Sequence, residues 1–179
     1  MAMAVANRYA RALADILGPQ GDYRHILSEL EDFVGTYRQS AELRNVFESP
    51  AVPLADRTKV LAAVLERMGI TAVTVKFLRV VLRNYRMSLI DQIGQAFRKI
   101  AYERLGVTEV RIESADTLSE AEREALRERF AEITGHQAEL EFHLNPELLG
   151  GVLAQIRSTV YDGSVRGGLE RIRQQLMTP

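Results

Sequence analysis

The sequence has no cysteine, no long apolar run and no excess of charge of one sign. The missing cysteine excludes disulfide frameworks, thiolate zinc sites and cysteine nucleophiles. No apolar run approaches the roughly 20 residues that a membrane-spanning helix needs, so direct membrane insertion is not expected. The 23 basic side chains against 24 acidic ones give a net charge of −1. This balance argues against a nucleic-acid binder, since phosphate contacts demand a basic excess.

Motifs for catalysis are also missing. His25, His136 and His143 lack the spacing of a metal-ligand pair, and the carboxylates of residues 120–132 share a helical pattern with arginines, as surface ion pairs do. There is no serine-hydrolase elbow, no phosphate-binding loop and no dinucleotide fingerprint. The sequence therefore predicts no catalytic residue, no cofactor and no metal site. A cofactor-independent enzyme stays open as an alternative, because it needs only a pocket with an acid or base of shifted pKa.

The first 105 residues show the apolar periodicity of helices. Gly18 and Pro19 end the first helix, Asp22 suits the N-cap of the second, Pro53 suits the first turn of the fourth and Gly69 suits its end. Short connections favour antiparallel neighbours, and the expected architecture is a compact bundle of about six helices. The stripe that predicts the first helix is Val5, Tyr9, Leu13 and Ile16, and the stripe that predicts the fifth is Val73, Phe77, Val80 and Val81.

The apolar period changes from helical to two after Gly106. Residues 108–112 alternate between apolar and polar side chains and predict a strand with one solvent-exposed side. Ser119 and Glu122 have the spacing of a capping box, and Gly135 suits the end of the helix that follows. This half of the sequence therefore begins with a strand and a helix.

Two more alternating stretches follow this helix. Residues 138–144 predict a second strand, and residues 152–160 predict a third that ends at Asp162 and Gly163. Ser164 suits the cap of a final helix, which makes the order β-α-β-β-α. The fold class predicted for the whole chain is therefore mainly α, with a six-helix N-terminal bundle and a small C-terminal α+β domain.

The change of period coincides with a change of charge. Residues 1–105 carry 15 basic and 11 acidic side chains, whereas residues 106–179 carry 8 basic and 13 acidic ones. Such an asymmetry can orient a protein on charged partners, although a run of charge is more often only a solvated surface. We expect two domains, residues 1–105 and residues 106–179.

Three segments resemble the family of the delta subunit of F-type ATP synthase, whose mitochondrial counterpart is the oligomycin-sensitivity-conferring protein. Residues 8–13, Arg-Tyr-Ala-Arg-Ala-Leu, are similar to the family's opening, and residues 77–86 resemble its central motif. The most specific match is Asn-Pro-Glu-Leu-Leu-Gly-Gly-Val at 145–152, followed by Asp-Gly-Ser-Val at 162–165. Arg157 departs from the family, which commonly has glycine there.

The resemblance implies a non-catalytic connector in the stator of the enzyme during proton-driven ATP synthesis. Residues 1–105 would bind the N-terminal segments of the alpha subunits of the catalytic head, and residues 106–179 would bind the C-terminal end of the peripheral-stalk b subunit. One copy would serve each enzyme, on the cytoplasmic side of a bacterial inner membrane, attached only through its partners. A generic two-domain adaptor that binds amphipathic helices in another assembly is the alternative.

Both partners offer amphipathic helices, which commonly bind in an apolar groove between two helices. The resemblance implies that the first and fifth helices form this groove. The expected contact residues there are Ala6, Tyr9, Ala10, Leu13, Ala14, Phe77, Val80 and Val81. The alternative for the three alanines is close packing within the bundle, and for Phe77, Val80 and Val81 packing in the core is favoured over the interface. In the last helix the expected stalk contacts are Val165, Leu169, Ile172 and Leu176, although the same stripe could pack on the sheet instead.

Overall fold

The computed structural model describes residues 2–156 and 158–169, and the structural statements below concern these residues. The chain divides into two compact units, Met1–Leu105 and Gly106–Pro179. The described part of the first unit contains six α-helices, with a 3₁₀ turn at Met87–Leu89 before the last. The helices are α1 (Ala2–Leu17), α2 (Tyr23–Gln39), α3 (Ala41–Glu48), α4 (Leu54–Arg67), α5 (Ala72–Arg83) and α6 (Ile90–Leu105).

Local sequence chemistry sets the helix ends. The Asp22 carboxylate accepts a hydrogen bond from the backbone N–H of His25 at 3.0 Å, which caps α2 as predicted. Gly69 follows the end of α4 with φ +66°, a conformation that costs glycine little. Pro53 lies at the N-cap of α4 and not in its first turn, so the helix begins one residue later than predicted.

The core of the helical unit is built on α6. Both α1 and α2 pack along it, while α5 packs against α4 and α2. Large side chains such as Phe33, Phe47 and Phe97 are fully buried between the helices. The hydroxyl of Tyr23 donates to the carbonyls of Ala14 and Gly18, at 3.1 and 2.9 Å, and ties the start of α2 to the end of α1. The position of α1 is therefore set by α6, and the position of α5 is set by α4 and α2.

In the residues that the structure describes, the second unit is a four-stranded sheet with the helix α7 packed against it. Its elements are β1 (Val107–Ser114), α7 (Glu120–Thr134), β2 (Gln137–Leu144), β3 (Gly151–Ile156) and β4 (Thr159–Ser164). The strand order is β2-β1-β3-β4; β1 and β2 are parallel and the other pairs are antiparallel. The core consists of Val110, Ile112, Phe130, Ala138, Leu140 and Ala154. The prediction of a mainly helical chain with a small C-terminal α+β part is confirmed.

The predicted order β-α-β-β-α is wrong by one strand. The alternation at 152–160 belongs to a hairpin of two strands, β3 and β4, and Ser158 lies in the turn between them. In the hairpin β3 pairs with β1 on one side and with β4 on the other, whereas a single strand at this edge of the sheet would leave the backbone groups of one side without partners. A helical segment, residues 165–169, follows at the predicted Ser164. Arg157, Ile172 and Leu176 lie outside the described residues.

The start of α7 provides a test of local stability. The Ser119 hydroxyl accepts from the N–H of Glu122 and the Glu122 carboxylate accepts from the N–H of Ser119, as predicted. Phe130 is the one side chain of α7 that is buried, so the hydrogen bonds at the start of the helix contribute a large share of its stability. We expect Ser119→Ala to lower the free energy of unfolding of this unit by about 1 kcal/mol in urea titrations. Glu128→Ala, at an exposed mid-helix position, should change it by less than about 0.5 kcal/mol; an equal loss would contradict the role of the cap.

Candidate helix-binding groove

An open groove lies between α1 and α5. Its volume is about 520 Å³. On α1 the lining residues extend from Val5 to Ile16, a length of about 16 Å or three helical turns. The lining residues are Val5, Arg8, Tyr9, Ala12 and Ile16 from α1, with Val73, Lys76, Phe77 and Val80 from α5 and Asn84 and Arg86 just after it.

The groove exists because α1 and α5 each have two apolar stripes. In α1 one stripe, of small residues and Leu13, faces the core, and Val5, Tyr9, Ala12 and Ile16 form a second stripe beside it. In α5 the buried stripe includes Leu78 and Leu82, and Val73, Phe77 and Val80 line the groove. A helix that packs against the core on one side needs only one apolar stripe, so the second stripe is not required by the packing of the unit itself.

Two large apolar side chains of the groove are strongly exposed. Ile16 is 69% exposed and Val80 is 49% exposed. Single exposed apolar residues are ordinary, but a cluster along a concave surface marks a site of interaction with another molecule. The described residues that line the groove therefore form a surface suited to an apolar partner.

The structure separates the predicted contact residues of the helical unit into two groups. Tyr9, Phe77 and Val80 line the groove. The others are buried in the core, with exposures of 0 to 5%, and do not line it: Ala6, Ala10, Leu13, Ala14 and Val81. In this structure these five side chains pack inside the unit, and Phe77 is buried as well, at 6% exposure, although it lines the groove. The three alanines are small enough to let α1 pack closely on α6.

Sequence reasoning missed most of the outer stripe. Ala12 and Lys76 were not predicted as groove residues, nor were Arg8 and Arg86. The signal that could have found Ala12 is the width of the apolar surface on α1, which exceeds the single stripe that a core-facing helix needs. The three basic residues have no such signal in the apolar pattern. The second stripe lies one position away from the buried one and lines the groove.

Glu29 of α2 holds the N-terminus of α5. Its buried carboxylate accepts from the backbone N–H of Thr71 at 2.6 Å and from the hydroxyls of Thr71 and Thr74 at 2.8 and 2.5 Å. Burial raises the pKa of Glu29, but the hydrogen bonds from Thr74 and Thr71 and the charge of His25 lower it, and the net pKa lies below the ordinary value of 4.5. The carboxylate therefore caps a helix that belongs to another part of the chain.

Arg57 of α4 holds the other end of α5. Its buried guanidinium donates to the carbonyls of Val52 and Phe47, at 2.8 and 3.4 Å. The same group lies over the ring of Tyr85, 4.9 Å from the ring centre, just after α5 ends. Glu29 and Arg57 thus fix both ends of one wall of the groove.

In the second unit, the two segments that resemble the family most specifically, residues 145–152 and 162–165, lie side by side. The N–H of Val165 donates to the carbonyl of Gly150 at 3.0 Å, which joins residues 145–152 to the segment after β4. Gly151 has φ +80°, and a Cβ there would meet the Gly163 carbonyl at 2.4 Å. Only glycine fits this approach.

The end of this unit presents exposed apolar side chains. Leu149 is 76% exposed, Val165 is 51% exposed and Leu169 is 59% exposed. The hydroxyl of Ser164 accepts from the N–H of Gly167 at 3.0 Å and so caps the helical segment that presents the last two. The side chains of Val165 and Leu169 are therefore exposed enough to contact another molecule, as the predicted stalk contact requires.

No candidate metal site is found in residues 2–156 and 158–169. No group of three or more His, Asp or Glu side chains could hold a metal ion there. In the same part of the chain, no helix has the length and apolar character to cross a bilayer.

A helical unit with an open apolar groove, followed by a small α+β unit with an exposed apolar end, has the design of an adaptor subunit. The family model of the ATP synthase delta (OSCP) subunit matches residues 5–176. The chain belongs to this family. It is a non-catalytic connector in the stator of the ATP synthase. The resemblance seen in the sequence is thereby confirmed, and the generic adaptor is set aside.

Relatives that align over nearly their whole length support the assignment. The ATP synthase subunit delta of Acidobacterium capsulatum is 40% identical over 174 residues, which are 97% of each chain. That of Desulfitobacterium hafniense is 33% identical over 97% of this chain and 96% of the relative. A chain of the mitochondrial ATP synthase hexamer of Toxoplasma gondii matches the fold with a TM-score of 0.74 and 21% identity, over 97% of this chain and 98% of that one.

Proposed function

We propose that the groove between α1 and α5 binds the N-terminal segment of an alpha subunit of the catalytic head. Residues 106–179 would bind the C-terminal end of the stalk b subunit, so that the chain couples head to stalk and resists rotation of the head. The helices of residues 1–105 form a six-helix bundle in this proposal. The observation that carries it is the pair of exposed side chains, Ile16 and Val80, in a groove with no internal occupant among the described residues.

The dimensions of the groove favour a helix as the guest. Its lining on α1 falls at positions 5, 8, 9, 12 and 16, the spacing of one helical stripe over three turns. A guest helix of similar length presents anchors at i, i+3, i+4 and i+7 to such a surface. Ala12, at the middle of the stripe, leaves room for a large anchor of the guest.

The position of the chain in the enzyme follows from its partners. With one copy at the junction of head and stalk, the chain would associate peripherally with the inner membrane, on the cytoplasmic side. Its own association with the membrane would be indirect, through the b subunit.

The stalk contact has its own test. We expect Leu169→Asp to weaken the binding of a synthetic peptide of the b C-terminal end by more than about tenfold, because a charge replaces an exposed apolar anchor. Binding of the alpha peptide should not change. The matched control is Ile133→Asp, at a residue of similar exposure on α7. Calorimetry that finds an unchanged b affinity in Leu169→Asp would count against this contact; Ile172 and Leu176 remain predicted contacts.

The proposal as a whole requires two independent sites on one chain. The full chain, titrated by calorimetry with an alpha N-terminal peptide, should bind it one to one. The b peptide should then bind the same complex with the affinity it has for the free chain. Competition between the two peptides would show a shared site and overturn the connector arrangement.

A further inference from the structure

The net positive charge of the helical unit lies on its groove helices. In α1, α5 and the three residues that follow α5 there are six basic side chains and one acidic side chain, Asp15. The whole chain has a net charge of −1. The positive charge is therefore concentrated at the proposed binding surface.

Three of these basic side chains line the groove itself. Arg8 lies on one wall, and Lys76 and Arg86 lie ten residues apart along the other. All three are exposed, and none of the eleven described lining residues is acidic. Lys76 and Arg86 therefore stand toward opposite ends of the α5 wall.

The lining cations have no ion-pair partner in the described part of the chain. Elsewhere in the helical unit basic residues do pair, as Arg38 does with Asp91 at 2.5 Å and Arg98 with Glu31 at 2.7 Å. The ion pairs of the described residues include neither Arg8, Lys76 nor Arg86. Unpaired charges of one sign around an apolar groove favour a ligand of the opposite sign.

We propose that this groove selects a helix whose apolar face is bordered on both edges by carboxylates, which pair with Arg8 on one wall and with Lys76 and Arg86 on the other. The inference rests on the proposed function, since it specifies the chemistry of the guest at the same site. The apolar stripe supplies contact area, and the cations choose among amphipathic helices. A helix with basic edges meets like charge on both walls and is rejected.

The test uses the full chain and a synthetic peptide of about 20 residues from the alpha N-terminus, beside a second peptide in which every Asp and Glu is replaced by Asn or Gln. Affinities are measured by calorimetry. We expect the native peptide to bind about tenfold more tightly at about 50 mM salt than at about 500 mM, because rim ion pairs are screened. The neutral peptide should bind more weakly at low salt and respond little to salt.

A triple variant assigns the effect to the groove. Arg8→Gln, Lys76→Gln and Arg86→Gln together should remove the salt dependence of the native peptide. The control, Lys59→Gln, Arg67→Gln and Arg104→Gln, removes three exposed charges outside the lining and should keep that dependence. Tight binding that ignores salt, the carboxylates and the triple variant would overturn this inference and leave the proposed function intact. No binding of the native peptide to the unaltered chain would overturn both.

Discussion

Replacement of Ile16 and Val80 together by asparagine is expected to weaken binding of the alpha N-terminal peptide by about 100-fold. The two side chains lie on opposite walls of the groove and are its most exposed large apolar groups. Each loses roughly 1.4 kcal/mol of apolar burial in the complex, which is a factor of about ten per side chain. Neither is part of the core, so the fold should be preserved. Calorimetric titration of the full-length variant measures the change.

The control for this variant is Ile133→Asn on α7. Ile133 is 46% exposed, close to the 49% of Val80, but it lies in the other unit. The control should bind the alpha peptide as the unaltered chain does. If the groove variant also keeps its affinity, the peptide binds elsewhere and the groove is not the site.

Replacement of Glu29 by alanine is expected to lower the free energy of unfolding of the helical unit by about 3 kcal/mol. The change leaves the N–H of Thr71 and the hydroxyl of Thr74 without their acceptor at the start of α5. Thr74 is fully buried, so water cannot easily replace the carboxylate. Urea titration followed by helical circular dichroism measures the loss.

Glu31→Ala is the matched control, two residues further along α2. Glu31 pairs with Arg98 at a side-chain exposure of 40%, and an ion pair this exposed contributes less than about 1 kcal/mol. Equal losses in the two variants would contradict the special role of Glu29.

The contribution of Glu29 should also depend on pH. Its pKa in the folded chain lies below the ordinary value of 4.5, so the ionised carboxylate stabilises the folded state. This stability is present above pH 4.5 and is lost as the pH falls through the folded pKa. The gap in unfolding free energy between the unaltered chain and Glu29→Gln should therefore narrow below about pH 4.5. A gap that widens on acidification would contradict this sign.

Local chemistry predicted the ends of several elements. The Asp22 cap, the capping box of Ser119 and Glu122, and the left-handed Gly135 at the end of α7 all appear in the structure. These features depend on residues three or four positions apart, which the sequence displays directly. The β3-β4 hairpin was missed because alternation continues through it, and alternation alone does not reveal where a strand reverses.

The groove was harder to predict because it depends on distant contacts. The sequence shows that α1 is apolar at positions 5, 6, 9, 10 and 13, but only the packing of α1 on α6 decides which of these face the core. Ala6 and Ala10 turned inward, whereas Tyr9 lines the groove. The Glu29 cap joins residues 42 positions apart, and no local pattern signals such a pairing.

Cross-linking in the assembled enzyme tests the central claim most directly. The chain has no cysteine, so a single cysteine can be placed at Ala12 in the middle of the groove, or at Ile133 as a control. Each is paired with single cysteines along the alpha N-terminal segment. The account predicts a disulfide with the alpha segment from Ala12→Cys, at positions one helical turn apart, and none from Ile133→Cys. A disulfide from Ile133→Cys alone would place the head contact outside the groove and contradict the account.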